Sequence, residues 1–183
     1  MKELLAIMLG GIIMNNLVFV KLLGISPVLA GKGNGKKAII NGAFVALIMF
    51  LSAIICWPIE NGLLAGKLEF LRIFVYVIVV FGVASIVDLA ARKISGKSLG
   101  LYFYIIALNG AILGLALLNT ADGLNFVQSV FASLGAGLGF MLAMWLFAGV
   151  QGRIQQKYVP AAFKGLPISV LAAAIVAMAF LAF

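Results

Sequence analysis

The sequence contains no histidine, one cysteine and only five acidic residues among 183. Without imidazole, histidine metal sites, histidine-dependent catalytic triads and imidazole proton shuttles are excluded. The single thiol, Cys56, could supply at most one ligand to a metal cluster, and we interpret it as a buried free cysteine that behaves as a small hydrophobe. The sequence therefore predicts no catalytic residue and no metal ligand.

Charge of either sign is scarce, with thirteen basic and five acidic side chains. Hydrophobic residues make up 65% of the chain, and the mean hydropathy is +1.25. Such a composition is typical of an integral membrane protein. Because backbone groups in lipid must be hydrogen-bonded within their own segment, the long apolar runs predict an all-α protein.

We predict six transmembrane helices, taking about 20 residues as one crossing. The loops between them are short and polar, which leaves no room for a soluble domain and argues against catalysis in water. The first span could instead be a cleaved signal peptide, but Asn15, Asn16 and Lys21 would interrupt its apolar region. The predicted spans are 4–29, 38–58, 70–91, 99–118, 126–150 and 165–183.

Basic residues are concentrated in the first, third and fifth loops. Nine of the thirteen lie there: Lys32, Lys36, Lys37, Arg92, Lys93, Lys97, Arg153, Lys157 and Lys164. By the positive-inside rule these loops are cytoplasmic, and both termini are external. The cations are dispersed over three short loops without a basic domain, so nucleic acid is not an expected partner.

The six spans divide into two sets of three within one membrane domain, residues 1–95 and 96–183. An offset of about 94 residues lays the first half on the second, and three crossings per half force opposite orientations. We therefore predict two inverted three-helix repeats. Gly24 and Pro27 are expected to break the first helix near its inner end, and Asn109-Gly110 to weaken the fourth near its middle.

Asparagines lie at matching depths in the first and fourth spans: Asn15, Asn16 and Asn109. A carboxamide in hydrocarbon is costly unless it is paired. These side chains could lock helices together or line a cofactor or ion path at the midplane. In helix five, Gly135-Ala136-Gly137-Leu138-Gly139 is interpreted as a face for close helix packing, since no strand or P-loop lysine accompanies it.

Two ionisable residues within the spans are candidates for an ion relay, Asp88 and Lys21. Asp88 lies four residues before Arg92, so the alternative for it is an ion pair on one helix face. Lys21 lies toward the inner end of the first helix. Its stem could let the ammonium group reach the headgroups, or the side chain could pair inside the bundle.

Several strings, in order along nearly the whole chain, resemble the A subunit of the Rnf electron-transport complex. A sister family is the E subunit of the sodium-pumping NADH:quinone reductase. The resemblance rests on Asn15-Asn16-Leu-Val-Phe-Val-Lys21-Leu-Leu-Gly24-Ile-Ser26-Pro27, Glu69-Phe-Leu-Arg72, Leu108-Asn109-Gly110-Ala-Ile-Leu-Gly114, Asn125-Phe-Val-Gln-Ser129 and Val159-Pro160-Ala-Ala-Phe163-Lys164-Gly165.

This resemblance implies a multi-pass subunit of the prokaryotic inner membrane that is not catalytic alone. Its partners would be a homologous membrane subunit of opposite topology and subunits that carry flavin and iron–sulfur groups. The complex would carry electrons across the membrane core while it moves sodium ions or protons. The alternative is a small inverted-repeat permease or channel whose solute would contact Asn15, Asn16 and Asn109.

In the family that the chain resembles, one cysteine in the first helix and one in the fourth hold a 2Fe–2S cluster together with two from the partner. Here those positions are Ser26 and Gly110. A neutral hydroxyl is a poor iron ligand and glycine has no side chain, so we expect that this chain does not donate its half of the ligands. Electrons could bypass it, or another cofactor could occupy the place. Flavin is expected only on partner subunits.

Overall fold

The computed structural model describes residues 1–29, 34–66, 68–95 and 108–182, and these residues form helices and turns without a strand. The all-α prediction is therefore confirmed. A π-helical turn, Glu60–Leu64, continues the third helix, and a 3₁₀ turn, Glu69–Leu71, precedes the fourth. The helices are α1 Lys2–Ile12, α2 Ile25–Leu29, α3 Gly35–Ile59, α4 Arg72–Ser95, α5 Gly110–Ala121, α6 Phe126–Arg153 and α7 Leu166–Phe180.

Three helical segments in the described part of the chain are long and apolar enough to cross a bilayer: Gly35–Leu64, Glu69–Lys93 and Phe126–Arg153. They correspond to predicted spans two, three and five. Gly110–Ala121 and Leu166–Phe180 are shorter apolar helices. The first part of predicted span four, residues 99–107, and the last residue of span six lie outside the described residues. The fold is that of a polytopic helical membrane protein.

The predicted break of the first helix is present at Gly24, but the interruption begins earlier, after Ile12, and Pro27 does not take part in it. α1 ends at Ile12, and turns occupy the chain from there to α2. Leu22 and Gly24 have positive φ angles of 54° and 67°, which no right-handed helix contains. Pro27 lies inside the first turn of α2, where its missing N–H is not needed.

The predicted loop two, residues 59–69, is also shorter than expected. α3 passes through Pro58, and the π-helical turn carries the chain on to Leu64. As a result Glu60 belongs to the helical segment and is only 8% exposed.

Side-chain contacts show which loops share a face of the bundle. Trp57 Nε1, before loop two, donates to the carbonyl of Leu124 in loop four at 3.0 Å. Gln128 Nε2, just beyond loop four, donates to Glu3 Oε1 at 2.9 Å, so the N-terminus lies on this face. At the other end, Gln151 Nε2 donates to the Leu29 carbonyl at 2.8 Å. The alternation of loops agrees with the predicted order of crossings.

Close packing of α3 against α6 forms the centre of the molecule, and α1 packs on the same helix α6. A Cβ atom at Gly137 would lie 2.8 Å from Ala46 Cβ, and one at Gly139 would lie 2.7 Å from the Gly11 carbonyl oxygen. Only glycine permits such a backbone approach, so the packing face predicted in the fifth span, which is α6 in the structure, is confirmed. The bulky side chains around it, Ile48, Phe140 and Phe147, are fully buried.

Candidate functional site

The non-helical turn that follows α1 is held by Asn16, whose side chain is completely buried. Its Oδ1 accepts from the backbone N–H of Val18 at 2.9 Å and of Phe19 at 3.2 Å. Its Nδ2 donates to the carbonyls of Ile12 at 2.9 Å and Gly139 at 3.0 Å. All four hydrogen-bonding positions of the amide are thus used. Asn16 caps the turn and ties it to α6.

Asn109 makes the same local turn in the second half of the chain. It is the N-cap of α5, and its Oδ1 accepts from the N–H of Ala111 at 2.8 Å and of Ile112 at 3.3 Å. Both asparagines therefore accept from the residues two and three positions further along. Their separation is close to the predicted offset between the halves, which supports the inverted repeat; the repeat itself stays a prediction.

Asn15 does not share the environment of its neighbour. Its side chain is exposed and lines a cavity of about 420 Å³ together with Lys21, Asn119 and Asp122. Lys21 is exposed as well. Of the three asparagines predicted at the midplane, the structure buries Asn16 and Asn109 as turn caps and leaves Asn15 at a surface.

The interrupted first helix meets the start of α5. A Cβ atom at Gly24 would lie 2.6 Å from Ala111 Cβ and 3.0 Å from Asn109 Oδ1. Ser26 follows two residues after Gly24, and Gly110 follows Asn109 directly. The two predicted cluster positions therefore belong to segments that touch, and both residues are exposed.

The donor set at this place does not fit an iron–sulfur cluster. Ser26 offers a neutral hydroxyl, and Gly110 offers no ligand atom. A Cβ atom at Gly110 would meet nothing within 4 Å, so space for a ligand side chain exists but the side chain does not. Across the described ranges, the structure brings together no group of three or more His, Cys, Asp or Glu residues that could hold a metal ion.

Asp88 forms the ion pair that its spacing predicts. Arg92 Nη2 lies 2.6 Å from Asp88 Oδ2, and Arg92 Nε donates to the same oxygen at 2.9 Å. The Asp88 side chain is 1% exposed, while that of Arg92 is 51% exposed. The pair therefore joins a buried carboxylate to a half-exposed guanidinium group at the edge of the bundle. A relay role for Asp88 stays a prediction.

A second buried charge pair was missed by the sequence reasoning. Arg72 Nη2 lies 2.6 Å from Glu60 Oε1, and Arg72 Nε donates to both carboxylate oxygens at 3.0 and 3.1 Å. The Tyr76 hydroxyl donates to Glu60 Oε2 at 2.9 Å and lies 2.7 Å from Thr120 Oγ1. The available signal was a glutamate after one span and an arginine opening the next.

This charged network lines a cavity of about 270 Å³ between the ends of α3 and α5 and the start of α4. Cys56 also faces the cavity and is 3% exposed. It is a free cysteine, as predicted. The cavity lies at the face that holds loops two and four.

The fold, the interrupted first helix and the two asparagine-capped turns define a class: polytopic helical membrane proteins with an interrupted helix inside the bundle. Comparison with known proteins narrows this class. The model of the family described as "Rnf-Nqr subunit, membrane protein" matches residues 4–183. The chain belongs to the Rnf-Nqr family.

Curated relatives match over nearly their whole length. The A subunit of the ion-translocating oxidoreductase complex of Azoarcus sp. (strain BH72) is 37% identical, over 100% of this chain and 97% of the relative. The A subunit of the Na(+)-translocating ferredoxin:NAD(+) oxidoreductase complex of Acetobacterium woodii is 34% identical, over 98% of this chain and 96% of the relative. The resemblance to Rnf A subunits is confirmed, and it favours a redox-complex subunit over a solitary permease or channel.

Proposed function

We propose that this chain is the A-type membrane subunit of an Rnf-type ion-translocating oxidoreductase complex. The observation that carries the proposal is the end-to-end match to subunits of that name, without large unmatched segments on either side. The chain works within the assembly and supports electron transfer across the prokaryotic inner membrane. Its partners are a homologous membrane subunit of opposite topology and subunits that carry flavin and iron–sulfur groups.

The second part of the proposal concerns the intramembrane cluster. The segments around Ser26 and Gly110 touch, and both positions are exposed, so they are available to a partner subunit. Neither residue offers a thiolate. The chain then serves the complex as scaffold and ion-path subunit, and it leaves its usual two cluster ligands unsupplied.

The test is to purify the complex through a tag on this chain and to identify the companion subunits by mass spectrometry. Copurification of flavin and iron–sulfur subunits, together with loss of redox-driven ion transport when the chain is deleted, is expected. Purification of the chain alone, with ion transport unchanged by its deletion, would contradict the proposed function.

Adding the missing thiolates tests whether this chain lacks its two cluster ligands. In the double variant Ser26→Cys/Gly110→Cys we expect about two more irons and two more acid-labile sulfides per complex than in the wild type. Each single substitution is the matched control and should add none. If the wild type already holds this cluster, the double variant gains nothing, and the ligand-loss proposal fails while subunit copurification stands.

The orientation of the chain in the membrane has its own test. With basic loops one, three and five in the cytoplasm, both termini are external. Phosphatase fused to either terminus should be active, and fusion to loop three should be inactive. Termini on opposite sides would contradict the even number of crossings, whatever the outcome for the complex.

A further inference from the structure

The cavity of about 270 Å³ beside Glu60 has a polar lining inside an otherwise apolar bundle. Among its polar side chains are Glu60 from the π-helical turn and, from three helices, Arg72, Tyr76, Asn119, Thr120 and Ser129. A volume of this size accommodates several water molecules, since each occupies about 30 Å³ in the liquid. Apolar cavities stay dry, whereas a cavity with convergent polar groups is a suitable water site.

One hydroxyl in this lining points to a ligand. Ser129 is 2% exposed, and its Oγ has no hydrogen-bond partner within the described ranges. The Ser129 carbonyl, in contrast, accepts from Ser133 Oγ at 2.6 Å and from Asn119 Nδ2 at 3.5 Å. A buried hydroxyl left unpaired costs about 1 to 3 kcal/mol, so its burial is explained if a ligand in the cavity bonds to it.

The Tyr76 network adds a hydrogen-bond acceptor to the cavity lining. The Tyr76 hydroxyl contacts Glu60 Oε2 and Thr120 Oγ1, and Thr120 Oγ1 also lies 3.1 Å from the Ala116 carbonyl oxygen. Two hydroxyl hydrogens satisfy this chain when Tyr76 donates to Glu60 and Thr120 donates to Tyr76, and Thr120 Oγ1 then keeps lone pairs that can accept a hydrogen bond from a ligand in the cavity.

From these two observations we propose that the cavity is a hydrated site within the bundle, whose ligand is a cluster of water molecules bonded to Ser129, Thr120 and the Glu60–Arg72 pair. Water both donates and accepts, so it can bond to the unpaired Ser129 hydroxyl and also donate to the acceptor oxygens of the network. The site opens toward loops two and four, where the Arg72 side chain is 29% exposed. This inference does not depend on the proposed redox function.

The chain contains a matched pair of sulfur residues for testing it. Cys56 and Met49 both lie on α3 and are 3% and 1% exposed, but only Cys56 lines the cavity. Radiolysis of water generates hydroxyl radicals in place, which oxidise sulfur and aromatic side chains adjacent to bound water. The purified complex in lipid nanodiscs is irradiated, and modification rates are measured by mass spectrometry.

With each rate divided by that of the same residue in the denatured protein, we expect Cys56 and Tyr76 to be modified at least about tenfold faster than Met49, which is as buried but lies in the apolar core. Filling the cavity with Ser129→Leu should bring the Cys56 rate down to that of Met49, and Ser129→Ala should lower it less. Equal rates for Cys56 and Met49 in the wild type would overturn the proposal. Unchanged Cys56 modification in a folded Ser129→Leu variant would overturn it as well.

Discussion

The buried amide of Asn16 gives the most direct test of the broken first helix. Asn16→Leu keeps the branching of the side chain but replaces atoms that lie 2.9 to 3.2 Å from their partners with methyl groups, so crowding adds to the loss of the hydrogen bonds. Four bonds disappear, and the buried N–H groups of Val18 and Phe19 lose the acceptor that the amide supplies. At about 0.6 kcal/mol for a typical side-chain bond in a membrane protein, four bonds give about 2.4 kcal/mol.

Unpaired buried groups raise this cost, so we expect a loss of about 2 to 4 kcal/mol in the free energy of unfolding. That loss corresponds to about a 30-fold to 700-fold fall in the folding equilibrium constant. The measurement is reversible unfolding of the purified protein in mixed micelles, followed by circular dichroism. The adjacent Asn15→Leu is the control, because its side chain is exposed, and it should change stability by less than about 0.5 kcal/mol.

Two results would refute this reasoning about the turn. One is a loss for Asn15→Leu as large as that for Asn16→Leu, which would mean that asparagine is needed at both positions for a shared reason. The other is a loss below about 0.5 kcal/mol for Asn16→Leu, which would mean that the turn is held by other contacts.

The remaining predictions concern packing and charge. Gly137→Leu should lower the thermal midpoint of the purified protein, through an overpacking cost of about 1 to 3 kcal/mol, because its Cβ would meet Ala46 at 2.8 Å. Gly149→Leu on the same helix should not, since a Cβ there meets nothing within 4 Å, and equal shifts would contradict the close α3–α6 contact. Arg92→Ala should cost about 3 kcal/mol in the same assay by removing the ion-pair partner of a carboxylate that is 1% exposed, whereas Lys93→Ala, at an exposed neighbour, should be nearly neutral. If Arg92→Ala is as mild as Lys93→Ala, the pair contributes little to stability.

The long helices could be predicted from sequence because their apolar runs determine them locally. The predicted span 126–150 begins at the same residue as α6, and 38–58 lies inside α3. The glycine spacing in the fifth predicted span, which is α6, also indicated a packing face, since closely spaced small residues in a membrane helix mainly serve close helix packing.

The beginning of the break in the first helix could not be located by the same reasoning. Residues around Asn16 are as apolar as those in a helix, and hydropathy does not distinguish a buried turn from a helical turn. The turn is stable because the Asn16 amide bonds to Gly139, which is 123 residues away in the chain. Such a partner is known only after the fold is known.

The Glu60 network was missed for a related reason. The second predicted span ends at Pro58, and proline inside a helix removes one backbone hydrogen bond and crowds the preceding turn. α3 nevertheless continues, and Arg72 and Tyr76 from α4 bind the carboxylate that this continuation buries. Whether the paired charge outweighs the disrupted helical turn depends on contacts between α3 and α4. The sequence of α3 alone does not show these contacts.

The central position of α6 has a consequence for biogenesis. α1 and α3 leave the ribosome first, yet the surface against which both pack arrives only when residues 126–153 have been synthesised. Until then the glycine-lined surface that receives Ala46 does not exist, and the early helices wait in the bilayer without their final neighbour. Chains truncated before α6 should therefore be substrates for membrane quality-control proteases, whereas chains truncated just after it should persist in a pulse-chase experiment.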